Sequence, residues 1–213
     1  MRNGFLFFLG LFAALTFSFA GIVLWSNHQL GALAPFYVED DAKAYPERTP
    51  GLATQGQLVY ADLGCAACHT QQVRRASFGS DKARGWGERQ SVARDYVQQT
   101  HVYLGESRIG PDLANVGARK PAYDEADLYK LLYAGAAGMP SYRFLFEQKS
   151  VAGRQTSDAA LSFGGRLSAP AGSEIVPTPR ARALVAYLLS LNQSYEYPEA
   201  RAVEPAATEG EAK

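Results

Sequence analysis

The residues with the greatest capacity for chemistry stand together at Cys65-Ala66-Ala67-Cys68-His69. Cys-x-x-Cys-His is the attachment sequence of c-type haem. Two thiols three positions apart on a helical turn reach the two vinyl groups of one porphyrin edge, and the next residue points its imidazole at the iron. We therefore predict one covalently attached haem c, held through Cys65 and Cys68, with His69 as an axial ligand of the iron.

A redox-active dithiol and a structural zinc site are the alternative interpretations of this motif. A thioredoxin-like dithiol stands within a strand–helix–strand pattern, which the surrounding sequence lacks. Structural zinc takes four protein ligands, whereas the chain has only two cysteines and three histidines. His28 and His101 do not have the spacing of a zinc finger relative to the motif, so the sequence favours haem.

The second axial ligand of such a haem has three candidates, which are Met139, His101 and His28. Met139 is the only internal methionine and stands in Gly138-Met139-Pro140, where the proline restricts the backbone of a loop. Methionine–histidine ligation raises the reduction potential and is used for electron transfer. We predict Met139 as the sixth ligand, although a methionine can also fill a gap in a core.

The amino-terminal segment from Gly4 to Trp25 has 22 residues without a charge or a proline. As a helix it would span roughly 33 Å, enough for the bilayer core of about 30 Å. A cleaved secretory signal is the alternative, but its apolar region has only about 7–15 residues. Arg2 precedes the segment and acidic residues 39–41 follow it, which favours a cytoplasmic amino terminus. We predict a retained single-pass anchor over residues 1–27, in the lipid bilayer through residues 4–25.

Apolar periodicity predicts three helices after the anchor. They run from about Leu52 into the cysteine motif, over Glu125–Ala134, and from Pro179 to about Leu191. Asp124 and Thr178 are suitable N-caps, and Gly135 is a suitable stop. The predicted inner faces carry Leu128, Leu131 and Leu132 in the second helix, and Leu184, Tyr187, Leu188 and Leu191 in the third.

No stretch alternates long enough to predict a strand, so the predicted fold class is all-α. The expected organisation is an anchor over 1–27, a proline-bearing linker over 28–50, a helical domain over 51–195 with insertions near 71–109 and 147–177, and an acidic tail over 196–213. The tail has few large apolar residues and is expected to be disordered.

The charge distribution is balanced overall but uneven locally. Lys plus Arg and Asp plus Glu number 21 each, so no net charge attracts nucleic acid. The first insertion has an excess of cations, namely Arg74, Arg75, Lys82, Arg84, Arg89 and Arg94, against Asp81 and Glu88. These cations form a solvated surface, or else one or two bond haem propionates while the others meet an acidic partner. Arg119 is an equally good propionate candidate.

Around these positions the sequence resembles a class I cytochrome c. In that family the first and last helices cross closely, and Gly56 in the first helix and Tyr187 in the last are similar to the residues at that crossing. The stretch Gly110-Pro111-Asp112-Leu113 resembles the family's glycine–proline–x–leucine loop. The resemblance implies that the carbonyl of Pro111 accepts a hydrogen bond from His69 and orients it.

A closer resemblance covers most of residues 56–145. The stretches GQLVYADLGCAACHTQQVRR, SVARDYV, LGESRIGPDLANVGAR and MPSY are similar to the membrane-anchored mono-haem subunit, subunit II, of cbb3-type haem–copper oxidases. This implies a subunit of the bacterial inner membrane with a periplasmic haem domain and no substrate site of its own. It would pass electrons from a c-type cytochrome donor to the membrane-embedded catalytic subunit.

The sequence departs from that family in three places. Arg94 stands where the family is usually acidic, residues 98–100 interrupt its usual aspartate–x–proline, and residues 147–176 have no clear counterpart. The departures leave alternatives open, which are the haem c subunit of a nitric-oxide reductase or another respiratory complex, and an independent membrane-anchored cytochrome c.

Overall fold

A computed structural model describes residues 2–105, 107–151, 153 and 155–200. The described chain divides after Tyr45 into two compact units. In the first unit, helix α1 (Arg2–Ser18), a π-helical segment (Phe19–Leu24) and helix α2 (Trp25–Gly31) follow one another without a break.

The helix of the first unit is long and apolar enough to cross a membrane. Its candidate span is Asn3–Gly31, with a mean hydropathy of 2.3 over its best window, and that window is not buried by other parts of the chain. An apolar surface of this size needs lipid or a partner to cover it. The helix continues beyond residue 27 into the predicted linker, and His28 lies within α2.

The second unit contains the three predicted helices. They are α3 (Gly51–Asp62), α4 (Glu125–Ala134) and α5 (Pro179–Ser190). The predicted caps are confirmed, because the Asp124 side chain accepts a hydrogen bond from the N–H of Asp127 and the Thr178 hydroxyl accepts one from the N–H of Ala181. Gly135 ends α4 with a φ of 75°, a conformation that favours glycine.

Helices α3 and α5 pack closely because Gly56 has no side chain. A Cβ at this position would lie 1.9 Å from the carbonyl oxygen of Ala183 and 2.6 Å from the Cβ of Tyr187. The Tyr60 ring meets the Tyr187 ring edge-on, with centroids 5.6 Å apart. The predicted inner face of α5 is confirmed, since Leu184, Tyr187, Leu188 and Leu191 are all buried.

The inner face of α4 differs from the prediction at one position. Leu128 and Leu132 are buried as expected, but the third buried residue is Tyr129 rather than Leu131. Leu131 instead lines a cavity between α4 and the cysteine motif. A leucine beside an open cavity and a buried leucine give the same periodicity in sequence, so the pattern does not distinguish them.

The expectation of no strand is wrong, and the fold is helical with two short sheets in the described part. Strands β1 (Phe36–Val38) and β2 (Lys43–Tyr45) form a hairpin inside the predicted linker. Strands β3 (Phe146–Ser150) and β4 (Ser173–Pro177) pair antiparallel, with Phe146 opposite Pro177. Four of the five residues of β3 are exposed, so it carries no alternating pattern, and its partner is distant along the chain.

The prediction of a disordered tail from residue 196 is wrong for its first five residues. Tyr197 is completely buried, and the guanidinium of Arg89 lies 4.8 Å from the centre of its ring. A 3₁₀ turn follows at Pro198–Ala200, and Glu199 pairs with Arg94. Residues 201–213 of the predicted tail lie outside the described residues.

Candidate functional site

A cavity of about 290 Å³ lies between the cysteine motif, α4, α5 and two loops of the second unit. Its walls are mainly apolar, with Leu128, Leu132 and Leu184 among them. All the predicted site residues line it, namely Cys65, Cys68, His69, Pro111, Arg119 and Met139. The fold therefore brings together groups that are separated by up to 74 positions, from 65 to 139, in sequence.

The two cysteines are presented by a tight turn at the end of α3. Gly64 takes the left-handed conformation, with a φ of 67°, and a 3₁₀ turn follows at Cys65–Ala67. Both thiols are free and partly exposed. Burial raises the pKa of the Cys65 thiol to about 11, whereas a reactive redox cysteine has a lowered pKa. The environment of Cys65 thus disfavours a redox dithiol.

The His69 ring is fixed in one orientation by the chain that passes beneath it. Its Nδ1 lies 2.9 Å from the carbonyl oxygen of Pro111. A carbonyl oxygen only accepts hydrogen bonds, so Nδ1 must carry the proton. In the neutral imidazole, Nε2 then keeps its lone pair, as a metal ligand requires.

Gly110 allows the loop to approach the imidazole this closely. A Cβ at Gly110 would lie 2.3 Å from Cε1 of His69. The N–H of Gly110 donates to the carbonyl of Cys68 at 3.0 Å. Glycine is therefore required by the packing of the loop against the histidine ring.

Met139 stands in a narrow turn that follows α4. The N–H of Ala136 donates to the carbonyl of Met139 at 3.1 Å, and the N–H of Met139 donates to the carbonyl of Ala136 at 2.9 Å. The side chain is partly buried and packs against the hydrophobic core. Its thioether is therefore a soft potential metal ligand at the cavity wall.

Arg119 is the only cationic residue of the described chain that lines the cavity. One Nη donates to the backbone carbonyl of Asp112, but its Nε is buried and has no hydrogen-bond partner. Burial also lowers the pKa of Arg119. A buried N–H without an acceptor is rare in native proteins, so this site suits an anionic group such as a carboxylate.

The cations of the first insertion do not line the cavity, and several of them are paired within the chain. Arg74 pairs with Asp81 at 3.1 Å, and Arg89 pairs with Asp95 at 2.7 Å. The guanidinium of Arg84 lies over the ring of Trp86. Two acids that were not counted in that stretch, Asp95 and Glu199, thus offset part of its excess of cations.

Sequence reasoning missed Asp112, a completely buried carboxylate beside the histidine. Its Oδ2 accepts hydrogen bonds from the Thr70 hydroxyl and from the N–H of Gln72 at 2.8 Å. Its Oδ1 accepts from the N–H of Ala114 at 2.9 Å. Asp side chains commonly accept a hydrogen bond from the backbone N–H two residues further on, as here from Ala114. The bond from Thr70 joins residues 42 positions apart, so no pattern in the neighbouring sequence could have predicted it.

The other two histidines are not part of this cavity lining, and His28 belongs to the first unit. His101 is exposed, and its carbonyl accepts a hydrogen bond from Gln57 at 3.3 Å. Neither His101 nor His28 is among the residues that line the cavity.

The residues of the cavity fit a haem. They supply two free thiols, an imidazole with an available Nε2, a thioether, apolar walls and an arginine whose buried Nε has no hydrogen-bond partner. Each of these groups meets a different part of a porphyrin, which has an apolar ring, two vinyl groups, a metal and two propionates.

Comparison with curated proteins gave no match. The family model described as "Cytochrome C oxidase, mono-heme subunit/FixO" matches residues 7–162, which is nearly three quarters of the chain. The match includes most of the apolar helix, the cysteine motif and Met139. It favours the oxidase over the nitric-oxide reductase that the sequence left open. The chain belongs to the FixO family and is the mono-haem, electron-transfer subunit of a cbb3-type cytochrome c oxidase.

Proposed function

We propose that the chain binds one haem c through thioether bonds from Cys65 and Cys68, with His69 and Met139 as the residues that would hold the iron. The observation that supports this is the cavity itself, which places the thiols, the imidazole and the thioether on its walls. The hydrogen bond from His69 Nδ1 to Pro111 leaves Nε2 for the metal. Arg119 would hold a propionate with its unpartnered Nε.

The domain that holds this haem is proposed to have the class I cytochrome c fold. Support comes from the close crossing of α3 and α5 at Gly56. Further support is the order along the chain of the cysteine motif, the glycine–proline loop at residues 110–113 and Met139. The two long insertions, 71–109 and 147–177, are additions to that plan.

The proposed role in the oxidase is to relay single electrons. A bound haem supplies the one-electron couple. His69 and Met139 would both hold the iron, so the bound group would supply electron transfer rather than substrate chemistry, and the chain would have only to orient these two ligands and exclude water. We propose a c-type cytochrome as the donor and the membrane-embedded haem–copper catalytic subunit as the acceptor.

The first unit is proposed to anchor the protein in a bacterial inner membrane. The span Asn3–Gly31 supplies sufficient apolar length. Arg2 before the span and the acids at 39–41 after it favour a cytoplasmic amino terminus. The haem-binding unit would then lie in the periplasm.

Covalent attachment is tested by haem staining after denaturing electrophoresis. The full chain is expressed in cells that mature c-type cytochromes, and we expect a stained band at the size of the chain. A variant with both Cys65→Ala and Cys68→Ala should be unstained. A colourless wild-type protein from such cells would contradict the proposal.

Axial ligation is tested by the optical spectrum of two matched variants. Met139→Ala should lose the long-wavelength sulfur-to-iron charge-transfer band of the ferric protein. His101→Ala, which changes an exposed histidine away from the cavity, should keep it. Ready binding of carbon monoxide to the reduced wild-type protein would indicate an open position and an enzyme rather than a relay.

The place in the oxidase is tested by purification from a mild detergent extract. We expect a copper-containing, oxygen-reducing catalytic subunit to co-purify with the haem-stained chain. Isolation of the stained chain without any such partner would favour the independent anchored cytochrome.

A further inference from the structure

The β3–β4 hairpin, described at residues 146–151, 153 and 155–177, covers the last turns of α4. The ring of Phe163 stacks on that of Tyr133, with centroids 4.9 Å apart and an angle of 28°. Phe146 meets Tyr133 edge-on at 5.2 Å and Tyr129 edge-on at 6.2 Å. The family match ends at residue 162, so Phe163 and strand β4 lie beyond the part of the chain that the family describes.

The loop with Met139 is fixed at its carboxyl end by hydrogen bonds to α4 and to the N-cap of α5. On the α4 side, the N–H of Tyr142 donates to the carbonyl of Leu132 at 2.8 Å. On the α5 side, the carbonyl of Leu145 accepts from the N–H of Thr178, the N-cap of α5, at 3.0 Å and from the Thr178 hydroxyl at 2.8 Å. Strand β3 begins at the next residue, Phe146, so a displacement of the hairpin would act directly on the carboxyl end of the loop.

Tyr133 connects the hairpin directly to the loop. The guanidinium carbon of Arg143, a loop residue, lies 5.1 Å from the centre of the Tyr133 ring. The same ring contacts Phe146 and Phe163 of the hairpin. Displacement of the hairpin would thus remove contacts on Tyr133 and release Arg143, four residues from Met139.

We propose that Phe163 and Tyr133 are positioning residues for Met139, and that the hairpin keeps its thioether directed at the cavity. This inference rests on the proposed function, because it assumes that Met139 is the sixth ligand of the iron. None of the described hairpin residues lines the cavity, so the hairpin would act through the loop. Its loss is expected to ease dissociation of the sulfur from the iron while leaving the haem attached.

The test measures how readily exogenous imidazole displaces the thioether from the ferric protein. Imidazole can bind the iron only after the sulfur of Met139 has dissociated. Its apparent Kd therefore depends on the equilibrium between sulfur-bound and sulfur-free iron. For Phe163→Ala in the full chain we expect the Kd to fall about tenfold, the factor that corresponds to the loss of a strong aromatic pair. Haem staining should be unchanged.

Two further variants and a matched control keep the test decisive if Phe163→Ala does not fold. Phe163→Leu keeps most of the apolar volume but removes the stacked ring, and it should also tighten imidazole binding. Tyr133→Phe keeps the ring and should behave as wild type. Phe78→Ala is the matched control, because Phe78 is 72% exposed in the other insertion and should leave the Kd unchanged.

The outcomes separate this inference from the proposed function. If the wild-type protein has the sulfur-to-iron band but Phe163→Ala or Phe163→Leu binds imidazole like Phe78→Ala, the positioning role is refuted and ligation by Met139 stands. If the wild-type protein lacks the band, ligation by Met139 fails and the inference fails with it. A general loss of stability alone would lower the Tm without changing the Kd at a temperature well below it, which also refutes the positioning role.

Discussion

The crossing of α3 and α5 can be tested at a single methyl group. In Gly56→Ala the new Cβ would lie 1.9 Å from the carbonyl oxygen of Ala183 and 2.6 Å from the Cβ of Tyr187. Neither atom can rotate away, since one belongs to the backbone and the other is attached to it. The helices must therefore move apart to accept the methyl group.

The expected cost follows from this geometry. Overpacking a core costs roughly 1–3 kcal/mol, and the upper end applies because both contacts are rigid. The higher helix propensity of alanine offsets about 1 kcal/mol of this loss. We expect the free energy of unfolding to fall by about 2 kcal/mol, which lowers the Tm by about 4–8 °C for a unit of roughly 150–250 residues.

Thermal unfolding of the full chain in one detergent measures this change. Near-UV circular dichroism is the suitable signal, because the buried rings of Tyr60 and Tyr187 meet at the crossing. Gly51→Ala is the control in the same helix, since a Cβ at Gly51 meets nothing within 4 Å. If Gly56→Ala and Gly51→Ala melt together, the close approach of the two helices is incorrect.

Three further predictions concern the site and its surroundings. Gly110→Ala should raise the reduction potential measured by redox titration. The new Cβ would lie 2.3 Å from the His69 ring and weaken the hydrogen bond that makes the imidazole basic. An unchanged potential would contradict this. Gly135→Ala should weaken the sulfur-to-iron band. The backbone at this position has a φ of 75°, and the new Cβ would lie 2.8 Å from the carbonyl oxygen of Met139, so the loop that carries Met139 would have to shift. A band of wild-type strength would contradict this. Burial opposes the ionisation of Asp81, but hydrogen bonds and charges of neighbouring arginines outweigh it and lower its pKa. The ionised carboxylate therefore stabilises the fold above the unfolded pKa of about 3.9, and this stabilisation is lost as the pH falls through the lower folded pKa. We expect Asp81→Asn to lower the free energy of unfolding at pH 7, measured with urea. The difference between variant and wild type should become smaller below about pH 4.

The sequence was informative wherever a local pattern sets the structure. The candidate span is visible as an uninterrupted apolar run, and α4 and α5 begin at caps whose hydrogen bonds span only three residues. The cysteine motif is equally local, because one turn of chain presents Cys65, Cys68 and His69 together. Its Gly64 adopts the left-handed conformation that allows this turn.

The sequence did not predict structure that depends on contacts between residues far apart in the chain. Strand β3 pairs with β4 across a long connection, and neither has an alternating pattern. Residues at the start of the predicted tail are buried because Tyr197 packs against Arg89, more than a hundred positions away. Apolar periodicity cannot report such contacts, since it records only which face of an element is covered.

The amino-acid sequence alone predicts the chemistry of the site, because the identity and spacing of the two thiols and the adjacent imidazole are set by covalent bonds. Which other groups share their cavity depends on the folding of distant parts of the chain. The tertiary structure brought Met139, Pro111 and Arg119 to the same walls, and it placed the aromatic rings of the hairpin against the loop that carries the methionine. These placements depend on packing between elements far apart in the chain, where the burial of apolar surface, rather than any local preference, fixes the partner.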